Sequence, residues 1–156
     1  MNTPPVSVAT VDVRVLKESE LAILDRVEAD VFDHPVQRAL AAQYLSVPGN
    51  LLAVATLSDV VVGMASAIAY VHPDKPVQLF INEVGVSPRV QRQGIGKRLM
   101  RALLDRGREL GCTEAWLATE VDNDAARGLY SSVEGVEGQD LAVVYTWQLG
   151  SSSGRN

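Results

Sequence analysis

Gln91-Arg92-Gln93-Gly94-Ile95-Gly96-Lys97 has the residue types and spacing that most plainly suit chemistry in this chain of 156 residues. It lies between a strand-like run and a strong helical stripe. A glycine-rich turn in that place leaves several backbone N–H groups free at the positive end of a helix dipole, which makes a phosphate site. Arg92 and Lys97 add charge and donors. The segment is not a Walker A loop, because Gln91 and Arg98 stand where that loop needs Gly and Ser or Thr. Nor is it the dinucleotide fingerprint, because Leu99 replaces the third glycine. Two readings stay open: a phosphate cradle, or a tight strand-to-helix turn with no ligand.

Glu83 is the second candidate. It falls in the otherwise apolar run Val77–Val86 and shares the strand parity of Leu79 and Ile81. A carboxylate among apolar neighbours is costly unless it has a partner or a task. Partial burial there would tune it toward a proton acceptor useful near neutral pH. The alternative is a structural carboxylate bonded to backbone or to an arginine. His34 and His72 each precede a proline, which suits capping or turn stabilisation. Two distant histidines with a single cysteine, Cys112, make a poor metal site, so no metal is expected. Cys112 follows a glycine that ends a helix, and it reads as buried and inert.

The charge pattern is uneven. Six acids face Arg26 alone between Glu18 and His34. Seven bases face Asp105 alone between Arg89 and Arg108, and seven acids face Arg127 alone between Cys112 and Asp140. A basic block between two acidic ones suits an anion in one place and a cation in another, although charge runs are more often solvated surface. The net charge of −5 argues against a nucleic-acid binder. The longest uncharged apolar stretch, Val60–Val71, has 12 residues, short of the ~18 that span a bilayer, so no membrane partner is expected. The N-terminus lacks a basic leader and an apolar core, and the expected location is cytoplasmic.

The elements that would position these residues follow from periodicity. Residues 11–149 read as one domain between flexible ends, 1–10 and 150–156. Asp12–Leu16 is a first strand. Leu21, Leu24, Val27 and Val31 predict a helix from Ser19 to about Phe32, and Val36, Leu40 and Tyr44 predict a second. Leu51–Leu57 and Val60–Val71 form a hairpin about Ser58-Asp59. Val77–Val86 is a strand stopped by Ser87-Pro88. Ile95, Leu99, Leu103 and Leu110 mark a helix closed by Gly111. Glu114–Thr119 is a short strand, Ala125–Ser131 a short helix, and Leu141–Leu149 alternates strictly, which predicts a last, half-buried strand. The order is that of an α/β (α+β) single sheet with helices on both faces.

Gln91-x-x-Gly94-x-Gly96 after Val84-Gly85-Val86-Ser87-Pro88 resembles the acetyl-coenzyme A motif of the GNAT N-acetyltransferases. Asn123-x-x-Ala126-x-x-Leu129-Tyr130 resembles the second signature of that superfamily. Asp33-His34-Pro35-Val36, Ile81-Asn82-Glu83-Val84 and Gly111-Cys112-Thr113-Glu114-Ala115-Trp116 look like the branch related to type I aminoglycoside 3-N-acetyltransferases. Glu134-Gly135 departs from the glycine pattern usual after the helix tyrosine. The resemblance implies a mixed central sheet of six to seven strands with about four helices. It implies acetyl-coenzyme A as co-substrate, held by the backbone of Gln91, Arg92, Gln93, Gly94, Ile95, Gly96 and Lys97. Val84 and Val86 would bond the pantetheine arm from a splayed strand, one amide serving as an oxyanion donor. Asn123 would cap its helix or bond that arm.

Glu83 is then the expected proton acceptor, directly or through a water, and Tyr130 the expected donor to the departing thiolate, since a phenol pKa of ~10 is near that of a thiol. Asp30, Asp33, Glu120 and Asp122 would flank the acceptor cleft together with Glu83. Such carboxylates suit a cationic amine: an aminoglycoside acetylated on its 3-amino group, a polyamine, or a peptide N-terminus or lysine. A coenzyme-binding sensor without chemistry is the non-enzymatic alternative. Members of this superfamily commonly pair, so a homodimer is a further expectation.

Overall fold

The computed structural model describes residues 10–150, so the expected flexible ends lie almost wholly outside the described residues. Four antiparallel strands, β1 (Asp12–Val15), β2 (Asn50–Leu57), β3 (Val60–Tyr70) and β4 (Gln78–Val86), stand side by side in chain order. β5 (Glu114–Trp116) joins β4 in parallel, making a mixed sheet of five strands. Ser58 and Asp59 both take positive φ, 50° and 62°, as the tight hairpin turn between right-twisted strands requires. Around the sheet lie α1 (Arg38–Ser46), α2 (Ile95–Glu109), α3 (Asp124–Ser132) and an eight-residue 3-10 segment, Glu18–Asp25; a single 3-10 turn, Pro88–Val90, follows β4.

α2 covers one face. Its stripe of Ile95, Leu99, Met100 and Leu103 meets Ala53, Ala55, Val62, Ala65, Leu79 and Ile81, all buried. Each fully buried leucine there contributes about 1.5–3 kcal/mol. Gly111, at φ 82°, ends α2, and the Cys112 amide reaches back to the Gly107 carbonyl at 3.0 Å. The other face is covered by the 3-10 segment, α1 and the loop between them, where Leu24 and Val31, with Leu16 just past the end of β1, pack onto Leu52, Val54, Val61 and Met64. Among the described residues no helix is long and apolar enough to cross a membrane.

Three expectations are corrected here. The sheet has five strands, not six to seven. The helix expected to run to Phe32 is the 3-10 segment ending at Asp25, after which Val27 bridges to Val61 and the Glu28 amide donates to the Val61 carbonyl at 2.9 Å. Leu21 and Leu24 are spaced by three, which the 3-10 repeat satisfies as well as the α-helix, whereas Val27 is half-buried at its bridge to Val61. The third concerns Leu141–Leu149, which forms no strand: Leu141, Val143, Tyr145, Trp147 and Leu149 are 73–93% exposed. Alternation alone makes no strand; a ladder partner is needed, and the Arg127–Glu137 pair and the Gly135 amide on the Tyr130 carbonyl lead this segment off the end of α3 without one.

Candidate functional site

The turn into α2 is built by its backbone. Arg92 (φ 61°) and Gly94 (φ 76°) both lie in the left-handed region, and nothing stands within 4 Å of where a Gly94 side chain would begin. Among the described residues, the amides from Arg92 through Lys97 donate to no backbone carbonyl; the first to do so is that of Arg98, onto Gly94 at 3.1 Å. These free donors point out of the positive end of a 15-residue helix. Ile95 is buried, so only its amide is available, whereas Arg92, Gln93 and Gly94 are exposed. The Gln91 side chain braces the turn, its Nε2 donating to the Val86 carbonyl at 3.0 Å. Such a donor set fits a diphosphate: several neutral N–H groups with cationic side chains beside them.

β4 ends beside this turn and opens away from β5. The two strands pair through Gln78–Phe80 with Glu114–Trp116, so from Ile81 to Val86 the β5 side of β4 has no strand partner among the described residues. Val84 and Val86 are half-buried along this wedge, with the α2 turn at its mouth.

The same strand carries a bulge that changes the reading of Glu83. Ala67 faces Ile81 but Ser66 faces Glu83, so Asn82 is the extra residue. One inserted residue turns every later side chain to the opposite face. Leu79 and Ile81 therefore point under α2, while Glu83 emerges on the α1 face opposite Ser66. Glu83 is exposed, so neither the expected shared parity nor the expected burial is met. Its neighbours there are Tyr44 and Ser66. Tyr44, on α1, donates its hydroxyl between the Leu51 and Ala67 carbonyls at 2.9 and 3.1 Å. Burial foremost, with the nearby Glu83 charge adding to it, pushes the Tyr44 phenol up to about 12. Ser66 is 6% exposed, and its Oγ has no partner among the described residues.

The acidic residues arrive from two sides. A side chain at Gly85 would begin 2.2 Å from the Val31 carbonyl oxygen, so the chain between Asp30 and Asp33 crosses directly over β4 one residue pair from Glu83. Asp30 (φ 65°) and Asp33 are both exposed there. Glu28 ties this crossing to the entry of the α2 turn, accepting from Arg89 at 2.8–3.0 Å; the Ser87 hydroxyl and then Arg89 hold its carboxyl below the usual range. From the other side, Glu120 lies near Tyr130 on α3, and Asp122 is exposed at the start of that turn. Burial first and Glu120 second raise the half-buried Tyr130 phenol. Asn123 caps α3, its Oδ1 accepting from the Ala126 amide at 3.1 Å. His72 serves its turn, with Nε2 3.2 Å from Gln78 Oε1. Cys112 is half-buried, and burial pushes its thiol up.

Sequence reasoning missed Tyr44 and Ser66, which periodicity assigns to a helix stripe and a buried strand. Only the bulge at Asn82 brings Glu83 to them, and no residue type announces it.

Residues 19–134 match the model of the acetyltransferase (GNAT) family. The chain is 36% identical over 108 residues to the N-alpha-acetyltransferase RimI of Mycobacterium tuberculosis, a match over 68% of this chain and 66% of that protein. It thus spans just under two thirds of that relative's length. An aminoglycoside acetyltransferase from an uncultured soil metagenomic sample, solved with trehalose, superposes with a TM-score of 0.73 at 25% identity, covering 88% of this chain and 97% of the other. A second aminoglycoside N-acetyltransferase, solved with CoA, has the same fold at 20% identity, with a TM-score of 0.73 over 93% of this chain and 99% of the other.

Proposed function

The chain belongs to the GNAT acetyltransferase family, and from that premise we propose that it transfers acetyl from acetyl-CoA to an amine of a small polycation, with an aminoglycoside 3-amino group as the favoured acceptor. The observation that carries the reading is the row of unpartnered amides from Arg92 through Lys97, opening beside the unpaired edge of β4. Acetyl-CoA supplies the activated acetyl thioester. The chain's own groups do the rest. Amides of the α2 turn, with Arg92 and Lys97, hold the diphosphate. Backbone groups at Val84 and Val86 orient the pantetheine arm along the wedge, and an amide there donates toward the thioester oxygen. The Val86 carbonyl already accepts from Gln91, so it fixes the turn.

An amine arrives as ammonium and must lose a proton before it attacks. Glu83, exposed on the α1 face beside the crossing of Asp30–Asp33, accepts that proton, and the remaining carboxylates attract the cation. Tyr130 donates its hydroxyl proton to the departing thiolate, and the proton that the nitrogen sheds on becoming an amide restores the phenol; burial, then Glu120, raise that phenol and favour its protonated form. Asn123 keeps α3, and so Tyr130, in position through its cap. Attack is direct, within one complex of both substrates, and no protein nucleophile is used.

The 36% identity to an N-alpha-acetyltransferase favours a second reading, in which the acceptor is a protein N-terminus. Thiol release from acetyl-CoA, followed with a panel of aminoglycosides, polyamines and short peptides, separates the two. Turnover with gentamicin and none with peptides supports the first reading. Turnover confined to peptides replaces it with the second, and release with no amine in the panel overturns both.

A further inference from the structure

The face that carries Glu83 also carries an aromatic pair that the acetyl-transfer reading leaves unused. Ile68 faces Phe80, and Phe80 faces Trp116, so Ser66, Ile68, Glu83, Phe80 and Trp116 share one side of the sheet. The 3-10 segment and α1 stop short of this corner, and Trp116 remains 45% exposed. Its ring packs on Phe80 at 4.6 Å between centroids and 42° between planes. The indole is also fixed at its edge: Nε1 donates to Tyr70 Oη at 2.6 Å, Tyr70 donates to Gln78 Oε1 at 3.1 Å, and Gln78 Nε2 donates to Glu114 Oε1 at 2.8 Å. A single exposed apolar side chain needs no explanation. An indole locked by a hydrogen-bonded chain and backed by a second ring, yet 45% exposed, has the properties of a binding platform: large contact area and little entropy left to lose.

We propose that Phe80 and Trp116 form a second acceptor subsite, which takes a saturated, ammonium-bearing ring while the reacting amine lies at Glu83. Three residues of strand with one bulge separate Phe80 from Glu83, roughly 7–10 Å, which leaves room for one ring on the indole while a second ring carries its amine to Glu83. The C–H face of such a ring stacks on the indole, and its ammonium substituents meet the ring quadrupole and the carboxylates at either end, Glu83 and Glu114. A linear polyamine or an extended peptide offers no such face. The subsite rests on the acetyl-transfer reading for its reacting amine, but it binds whether or not transfer follows.

Trp116 and Trp147 are the two tryptophans of the chain, so Trp147→Phe leaves Trp116 as the sole indole reporter. In that variant, gentamicin is expected to change Trp116 emission saturably, with spermidine and an alanine-headed peptide leaving it unchanged. In thiol-release assays, Trp116→Ala is expected to raise KM for gentamicin about ten-fold, with kcat within two-fold and KM for acetyl-CoA unaltered, and Trp116→Phe to restore most of the loss. A gentamicin titration without an emission change overturns the subsite, as does an equal change with spermidine. A Trp116→Ala variant whose kcat falls at constant KM also overturns it. Absence of turnover with every amine, alongside a saturable gentamicin response, overturns acetyl transfer and leaves the subsite standing.

Discussion

The two faces of the sheet are finished differently. Under α2 the packing is close: Leu99 and Leu103 are fully buried, and the helix spans β1 to β4. Under α1 and the 3-10 segment the cover reaches β2 and part of β3, leaving Glu83 and Trp116 exposed and Phe80 half-buried. One face fixes backbone geometry, since it anchors the turn whose amides face outward. The other presents side chains. A single inserted residue, Asn82, moves Glu83 from the first group to the second. Division of labour between the faces is thus set by a bulge as much as by residue types.

The sharpest way to break this comparison is to cut one side chain on each face. Leu99→Ala is expected to cost about 3 kcal/mol of stability, because it leaves a cavity in a close-packed layer; urea unfolding reads it. Glu83→Gln is expected to leave the unfolding free energy read by urea within about 0.5 kcal/mol of the parent, as exposed substitutions do. The same change is expected to lower kcat/KM about 100-fold, the usual yield of a positioned proton acceptor. If Glu83→Gln unfolds the protein as Leu99→Ala does, the carboxylate is structural and the contrast between the faces is lost.

Much of the closed face is legible in the sequence. Ile95, Leu99 and Leu103 repeat at helical spacing, Gly94 and Gly111 mark the two ends of α2, and the structure agrees on each. The α2 turn is legible too, because glycine spacing and flanking charge are local properties. Glu83 is only half legible. Its chemistry stands out among apolar neighbours, but its face follows from a strict period of two, which the bulge interrupts. Leu141–Leu149 shows the limit from the other side: its alternation suits a ladder, but β5 is three residues long and carries no second partner among the described residues. Trp116 looks like any apolar residue of a short strand. That it stays in water depends on how far α1 reaches, and composition does not record such a reach.

Tyr130→Phe sharpens the comparison within the site. The hydroxyl is lost and the ring stays, so packing against α2 and the sheet is retained. A fall in kcat of about ten-fold is expected, without change in KM for acetyl-CoA, since the proton is needed only as the thiolate leaves. An unchanged kcat would assign Tyr130 to the core alone.

The smallest expected effect tests the border between covered and open surface, where Tyr44 stands beside Glu83. Its phenol lies at about 12 in the folded protein, against ~10 in an unfolded chain. The folded form therefore holds its proton where the unfolded form has lost it. The stability that this contributes is fully present below pH ~10, declines as pH rises from there, and levels off once pH passes about 12. Tyr130, raised in the same direction, adds a second descending limb of its own. Tyr44→Phe removes one limb, so the stability of that variant, measured by urea unfolding at pH 9, 10 and 11, is expected to fall less steeply than that of the parent. It also removes the hydroxyl bonds to the Leu51 and Ala67 carbonyls, about 1 kcal/mol at every pH. A constant offset with an unaltered slope would mean that water reaches the Tyr44 hydroxyl as freely as it reaches Glu83, placing α1's edge one residue further back than the structure puts it.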